Sequence, residues 1–175
     1  INIADNTIFN EHMLEMFIFE NTQLMEQLEE NLLIIESTSS MSEEIINEIF
    51  RIMHTVKGNS MMMMYEGIGN VSHIAEDLFD YIRNEKPTTI DYEKVVDLVL
   101  DSIDFIKQEI SKIDNDEKAD GDPSELVENL KNFLESLKFF NSKEITDNEN
   151  NEEKIDNDNV WSTNIWNISR WKFCR

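Results

Sequence analysis

The sequence predicts an all-α protein: an antiparallel four-helix bundle with a fifth, C-terminal helix. Apolar residues recur at three- and four-residue spacing through most of the chain, the period that lines one face of a helix. Only 4 of the 175 residues are Gly and 2 are Pro, which leaves little material for hairpins and tight turns. The polar breaks between the periodic stretches are short, and short connections make successive helices antiparallel neighbours.

Thr7 to Ile35 reads as one long helix, with Ile8, Phe9, Met13, Leu14, Phe17, Leu24, Leu28, Leu32 and Ile35 on its apolar stripe. Glu36-Ser37-Thr38-Ser39-Ser40 breaks it. Ser42 is placed to cap a second helix, and Glu43 and Glu44 fall in its first turn, where negative charge is favourable. This helix runs through His54 to about Ser60 or the run Met61-Met62-Met63-Met64, which reads as flexible core filler. Gly67 and Gly69 mark a loosened region near the start of a third helix, whose stripe is Val71, Ala75, Leu78 and Ile82. Lys86-Pro87-Thr88-Thr89 ends it. A fourth helix is expected from about Asp91 to Ile113, with Val95, Val96, Val99, Leu100, Ile103, Ile106 and Ile110 inward. Asp114 to Asp122 reads as a charged loop. Asp122 as cap and Pro123 in the first turn then open a fifth helix carrying Leu126, Val127, Leu130, Phe133, Leu134 and Leu137. From Asn141 to Asn159 the composition turns to Asn, Asp and Glu, the signature of a disordered linker. The segment Val160 to Arg175 carries Trp161, Trp166 and Trp171 at a spacing that fits neither a helix face nor a strand face. Residues 1–140 are thus expected to form the domain, and 141–175 an acidic linker and a tail without an assigned role.

The net charge of −22 argues against nucleic acid and anionic membrane surfaces as partners. Cys174 is the single cysteine, so no disulfide framework exists. No basic, apolar leader opens the chain, and no apolar run reaches the roughly 18 residues of a membrane span. A cytoplasmic location is expected. The chain does not begin with Met, which suggests a fragment of something longer.

The chemistry concentrates around His54. At 100° per residue, Ile45, Ile49, Ile52, Met53 and Val56 cluster on one side of the second helix, and His54 falls on the other. Lys57 and Gly58, at i+3 and i+4, flank it one turn on. On the third helix, His73, Glu76 and Asp80 lie opposite the apolar stripe. If the two helices pack antiparallel, His54, Lys57, His73 and Glu76 become neighbours at one edge of the bundle. A neutral imidazole is a nucleophile at whichever ring nitrogen lacks the proton. A carboxylate that accepts a hydrogen bond from the other nitrogen fixes the tautomer, and Glu76 suits that role. His73 is placed at i, i+3 to support Glu76. Lys57 suits an incoming phosphoryl group and would pair with Glu76 otherwise. Gly58 costs a helix interior about 1 kcal/mol relative to Ala, a cost explained if something must dock above His54.

His54-Thr55-Val56-Lys57-Gly58 resembles the H-x-x-K-G signature of histidine-containing phosphotransfer (HPt) domains. His73-Ile74-Ala75-Glu76 occupies the place of the H-x-x-E found in one branch, the N-terminal phosphotransfer domains of CheA-type chemotaxis histidine kinases. The resemblance runs from about Thr7 to Phe139. It departs at Asn59, where a small residue is common, and at Met64, where a glycine is common. The resemblance implies that His54 accepts the γ-phosphoryl of ATP from a kinase catalytic domain in a homodimeric parent. His54 would then pass it to an aspartate of a response regulator receiver domain. It also implies no cofactor on this domain, ATP-Mg being used by the kinase portion. No Gly-rich phosphate loop is present here, and the resemblance implies a phosphoryl carrier rather than the kinase itself.

Other readings compete. One is an HPt module of a hybrid kinase or standalone phosphorelay; another is a structural helical adaptor with an incidental polar site. A metal centre is not expected. Di-iron bundles need Glu-x-x-His pairs, whereas Phe9, Arg51 and Asn70 stand three residues before His12, His54 and His73. His12 has no supporting partners and reads as a surface residue.

Overall fold

In the computed structural model, which describes the backbone of residues 3–152 and the side chains of residues 10–142, five helices follow one another: α1 (Ile3–Thr38), α2 (Glu43–Met62), α3 (Glu66–Glu85), α4 (Tyr92–Asp114) and α5 (Ser124–Glu152). The first four make a bundle in which α1 packs on α2, α2 on α3, α3 on α4, and α4 back on α1, the pair α2 and α3 most extensively. The all-α expectation and the order of the helices hold.

Three of the helices, α2, α4 and α5, start where a side chain supplies a partner for free N–H groups. Ser42 is the N-cap of α2, its hydroxyl accepting from the Ile45 N–H at 3.3 Å, and Asp91 caps α4 by accepting from the Lys94 N–H at 3.0 Å. The Asp122 carboxylate accepts from the Ser124 N–H at 3.0 Å, and the Pro123 carbonyl accepts the Val127 N–H, opening α5. Exposed Ser/Thr/Asp caps of this kind contribute about 1 kcal/mol each. The helix ends are less conventional. Ser39, Met64, Lys86 and Asp116 all have positive φ, at 48°, 63°, 45° and 58°, although left-handed positions usually fall to glycine. No glycine among the described residues has positive φ.

The core is the set of stripes read from the sequence, interleaved. Phe17, Leu28, Leu32 and Ile35 of α1 meet Ile49, Ile52, Met53 and Val56 of α2. Val71, Ala75, Leu78, Phe79 and Ile82 come from α3, and Val95, Val99, Ile103, Ile106 and Ile110 from α4. Leu130, Leu134 and Leu137 of α5 join the same cluster, and Asn141 donates to the Tyr81 hydroxyl at 3.1 Å. Fully burying one such aliphatic side chain is worth about 1.5–3 kcal/mol.

Gly67 and Gly69 lie in the first turn of α3, near its start as expected, and the turn before it is Met63 to Tyr65. Three expectations are corrected. Leu100 is 40 % exposed, whereas Leu98 is buried: at 100° per residue the buried arc of α4 is centred near Ile106, and Leu100 lies about 120° from it. The methionine run is surface rather than core filler at Met61, Met62 and Met64, with only Met63 half-buried. The polar stretch from Asn141 is helical as far as Glu152, because extending an existing helix costs little once a packed segment has nucleated it. The tail from Val160 to Arg175 lies outside the described residues. No helix among the described residues is long and apolar enough to cross a membrane.

Candidate functional site

The site is a seam between α2 and α3. The register of the two antiparallel helices is set by close packing at their joined ends. A Cβ at Gly69 would stand 3.7 Å from the Met61 side chain and 3.9 Å from that of Ser60. Stepping back along α2 and forward along α3 from that contact brings Lys57 and His54 opposite Glu76, and Phe50 opposite Arg83.

Glu76 sits at the edge of the buried surface, 8 % exposed, not on the solvent side as its position opposite Val71 suggests. Ser72 and Phe79 are buried beside it, so the covered arc of α3 is wider than its apolar stripe. The Oε1 atom of Glu76 lies 2.8 Å from His54 Nδ1, and its Oε2 pairs with the Lys57 ammonium. Burial raises the carboxyl's pKa, but the His54 hydrogen bond and the Lys57 ammonium outweigh burial and hold it below the ordinary carboxylate value. The group is therefore ionised at neutral pH and can only accept hydrogen bonds. It follows that the shared proton is on His54 Nδ1, and that the lone pair of the neutral ring is on Nε2. The His54 side chain is 63 % exposed, and Nε2 has no partner among the described residues. One buried carboxylate thus fixes the tautomer of an outward-facing imidazole and anchors a cation beside it.

Gly58 lies one turn beyond His54 on the same face, exposed, and a Cβ built there meets nothing within 4 Å. Nothing in the packing of the described residues requires glycine at this position. His73 does not join the group. It points along its own helix, its Nε2 3.7 Å from the Asp77 carboxylate, and both side chains are about half exposed. Glu76 already spends both oxygens across the seam on His54 and Lys57, so support from His73 is not what holds it. His12 lies apart on α1, exposed beside Glu15.

Two residues beside His54 were not singled out from the sequence. Phe50 stacks on the His54 ring, centroids 6.1 Å apart and planes inclined by 19°, and the Arg83 guanidinium lies 3.9 Å from the centre of the Phe50 ring. The signal was available: Phe50 is at i−4 from His54 and Arg83 at i+7 from Glu76, both same-face spacings. Further along the same edge, Met13, Met16, Phe17, Met62 and Met63, with Glu20 and Asn59, line an open groove between α1 and α2. Asn59, one of the two departures from the family pattern, donates to Glu20 at 3.1 Å.

A family model described as the Hpt domain matches residues 12–116. The chemotaxis protein CheA of Treponema pallidum (strain Nichols) is 38 % identical over 125 residues, 71 % of this chain and 15 % of that protein. CheA of Borreliella burgdorferi is 37 % identical over 125 residues, 71 % of this chain and 14 % of the relative. The chain therefore spans about a seventh of the length of these relatives. Among solved structures, the phosphorylated P1 domain of CheA3 in complex with CheY6 from R. sphaeroides has a similar fold. Its TM-score is 0.64 at 20 % identity, covering 72 % of this chain and 98 % of that one. A four-helix bundle that offers one oriented histidine, matched over its length by the family model, leads to one conclusion: the chain belongs to the Hpt domain family.

Proposed function

We propose that this chain is the phosphocarrier domain of a cytoplasmic CheA-type chemotaxis histidine kinase. The observation that carries the reading is His54 itself: Nδ1 bonded to an ionised Glu76, Nε2 outward, Lys57 beside it. In the first step the Nε2 lone pair attacks the γ-phosphorus of ATP held, with its magnesium, by a separate kinase catalytic domain. The N–P bond forms, the bond to the bridging oxygen breaks, and ADP leaves. The ring then carries a positive charge that the Glu76 carboxylate, still bonded at Nδ1, stabilises. Lys57 balances the phosphoryl charge as that group arrives. In the second step an aspartate carboxylate of a receiver domain attacks the same phosphorus, and the N–P bond breaks. Phosphoryl transfer of this kind depends on positioning and charge more than on covalent work by the protein. This chain's part is to present one nitrogen and leave space around it.

Similarity to CheA proteins over 71 % of the chain, and a fold shared with a CheA3 domain bound to a CheY protein, support this choice of kinase and of receiver. The test is incubation with a CheA kinase core, ATP and Mg²⁺. The chain is expected to gain an acid-labile, base-stable phosphate that a CheY-type receiver then removes. Full labelling of His54→Gln would overturn the assignment.

A further inference from the structure

His54 has an orientation to keep and little to keep it with. Its side chain is 63 % exposed, and one hydrogen bond, at Nδ1, ties it to Glu76. A hydrogen bond at one corner fixes that corner; it leaves the ring plane free to swing about it. Phe50, one turn earlier on the same face of α2, supplies what is missing. Its ring lies nearly parallel to the imidazole, inclined by 19° with centroids 6.1 Å apart. Phe50 is itself held. The Arg83 guanidinium lies 3.9 Å from its ring centre, an attraction between a cation and an aromatic face, and Asp80 fixes Arg83 at 2.5 Å. The chain of contacts Asp80, Arg83, Phe50, His54 crosses the α2–α3 seam in the same register as the Glu76 contacts. It meets the imidazole at a ring face, whereas Glu76 meets it at Nδ1.

We propose that Phe50, clamped by Arg83 and Asp80, is a positioning residue that fixes the plane of the His54 ring, so that Glu76 holds Nδ1 while Nε2 points at the incoming phosphorus. The inference rests on the phosphocarrier reading for its kinetic consequence, but not for its structural one. Two constraints, a bonded corner and a flat flank, define the direction of Nε2; either alone leaves a fan of orientations.

The test uses three variants of the whole chain. Phe50→Leu keeps an apolar side chain but removes the flat face. Phe50→Tyr keeps the face. Arg83→Met keeps an apolar stem over the ring but removes the cation. At saturating kinase core, Phe50→Leu is expected to lower the rate constant of phosphoryl uptake about tenfold with little change in the concentration of core needed for half-saturation. Arg83→Met should lower it about threefold, and Phe50→Tyr should stay within about twofold of the parent. A second readout does not need the kinase. Carbon-13 relaxation of the His54 ring C–H groups is expected to show a rigid ring in the parent and in Phe50→Tyr, and a ring of clearly lower order in Phe50→Leu, with the Nδ1–H tautomer kept in all three. Parent-like rate and ring order in Phe50→Leu would overturn the proposal, as would a slowed Phe50→Tyr with a parent-like fold. If the parent takes no phosphoryl group at all, the carrier reading fails, and the ring-order comparison still decides the positioning role.

Discussion

Replacing Gly58 by Ala separates what position 58 does for the fold from what it does for a partner. A Cβ at Gly58 meets no atom within 4 Å, and the position lies inside α2, Glu43–Met62, with no positive φ to relieve. The added methyl neither clashes nor buries anything within the chain. What remains is the backbone term: glycine in a helix interior is less favourable than alanine by about 1 kcal/mol, chiefly through the freedom it has in the unfolded chain. Gly58→Ala is therefore expected to stabilise the domain by about 1 kcal/mol, which for a domain of this size raises Tm by about 3–5 °C. In urea, with a slope of about 2 kcal/mol per molar, the midpoint moves up by about 0.5 M. Phosphoryl uptake should go the other way, falling at least about tenfold, because a misplacement of the order of 1 Å at a reacting centre can cost a hundredfold. The assay is urea unfolding followed by circular dichroism, paired with uptake from a CheA kinase core on the same preparations. A destabilised variant would refute the open space above Gly58. A stabilised variant that transfers at the parent rate would refute the reason given for the glycine.

Three further outcomes follow from the structure. Glu76→Gln should cost about 1–3 kcal/mol at pH 7, since it leaves the largely covered Lys57 ammonium without a counter-charge. Because the folded pKa of Glu76 is lowered from 4.5, this contribution is complete above the unfolded value and is lost as pH falls through the folded one. Parent and variant should thus differ steadily from pH 8 to about 5 and converge in acid; unfolding curves over a pH series that stay parallel in acid would contradict this. Met64→Gly should stabilise by about 0.5–1 kcal/mol, because φ is 63° there and the side chain is 86 % exposed, so little burial is lost; thermal melts measure it. Gly121→Ala should destabilise by about 1–2 kcal/mol. A Cβ there would meet the Glu109 carboxylate, which is pinned by the Gly121 N–H at 3.0 Å and by Lys112 at 2.7 Å. A double-mutant cycle with Glu109→Ala should recover most of that loss, and additive costs would show that the clash is not with Glu109.

The periodic stripes were legible because they are long: four stripe residues of α3, Val71, Ala75, Leu78 and Ile82, are all buried. The errors arise where a second neighbour widens the buried arc or shifts its centre. Leu98 and Leu100 differ only by which side of the stripe they extend, and that depends on packing, which no single-helix pattern encodes. Glu76 was legible as the group that orients His54 but not as a buried one, since a carboxylate opposite an apolar stripe reads as solvated until a partner helix is placed against it. His73 was assigned to Glu76 on i, i+3 spacing, and across the seam that spacing is outcompeted by His54 and Lys57. Phe50 was hidden by being ordinary: an aromatic residue one turn before a histidine looks like core. Met64 shows the opposite case. The sequence marks it as standing where glycine is common, and the backbone adopts the left-handed conformation that makes glycine common.

The antiparallel register of α2 and α3 has a consequence for how the protein assembles and diversifies. His54 and Glu76 are only 22 residues apart in sequence, and Phe50, Lys57, Asp80 and Arg83 all lie on the same two helices. Every group that handles the histidine belongs to one helical hairpin, so closing the short turn at Met63 to Tyr65 brings them together at a small entropic cost. The contacts are local enough to form early in folding. Among the described residues neither α1 nor α4 contributes to them; these helices pack against the hairpin, α1 on α2 and α4 on α3. The groups that orient the imidazole and the α1 residues that line the neighbouring groove therefore occupy separable parts of the chain, and substitutions at Met13 or Met16 are expected to reshape that groove without disturbing the imidazole.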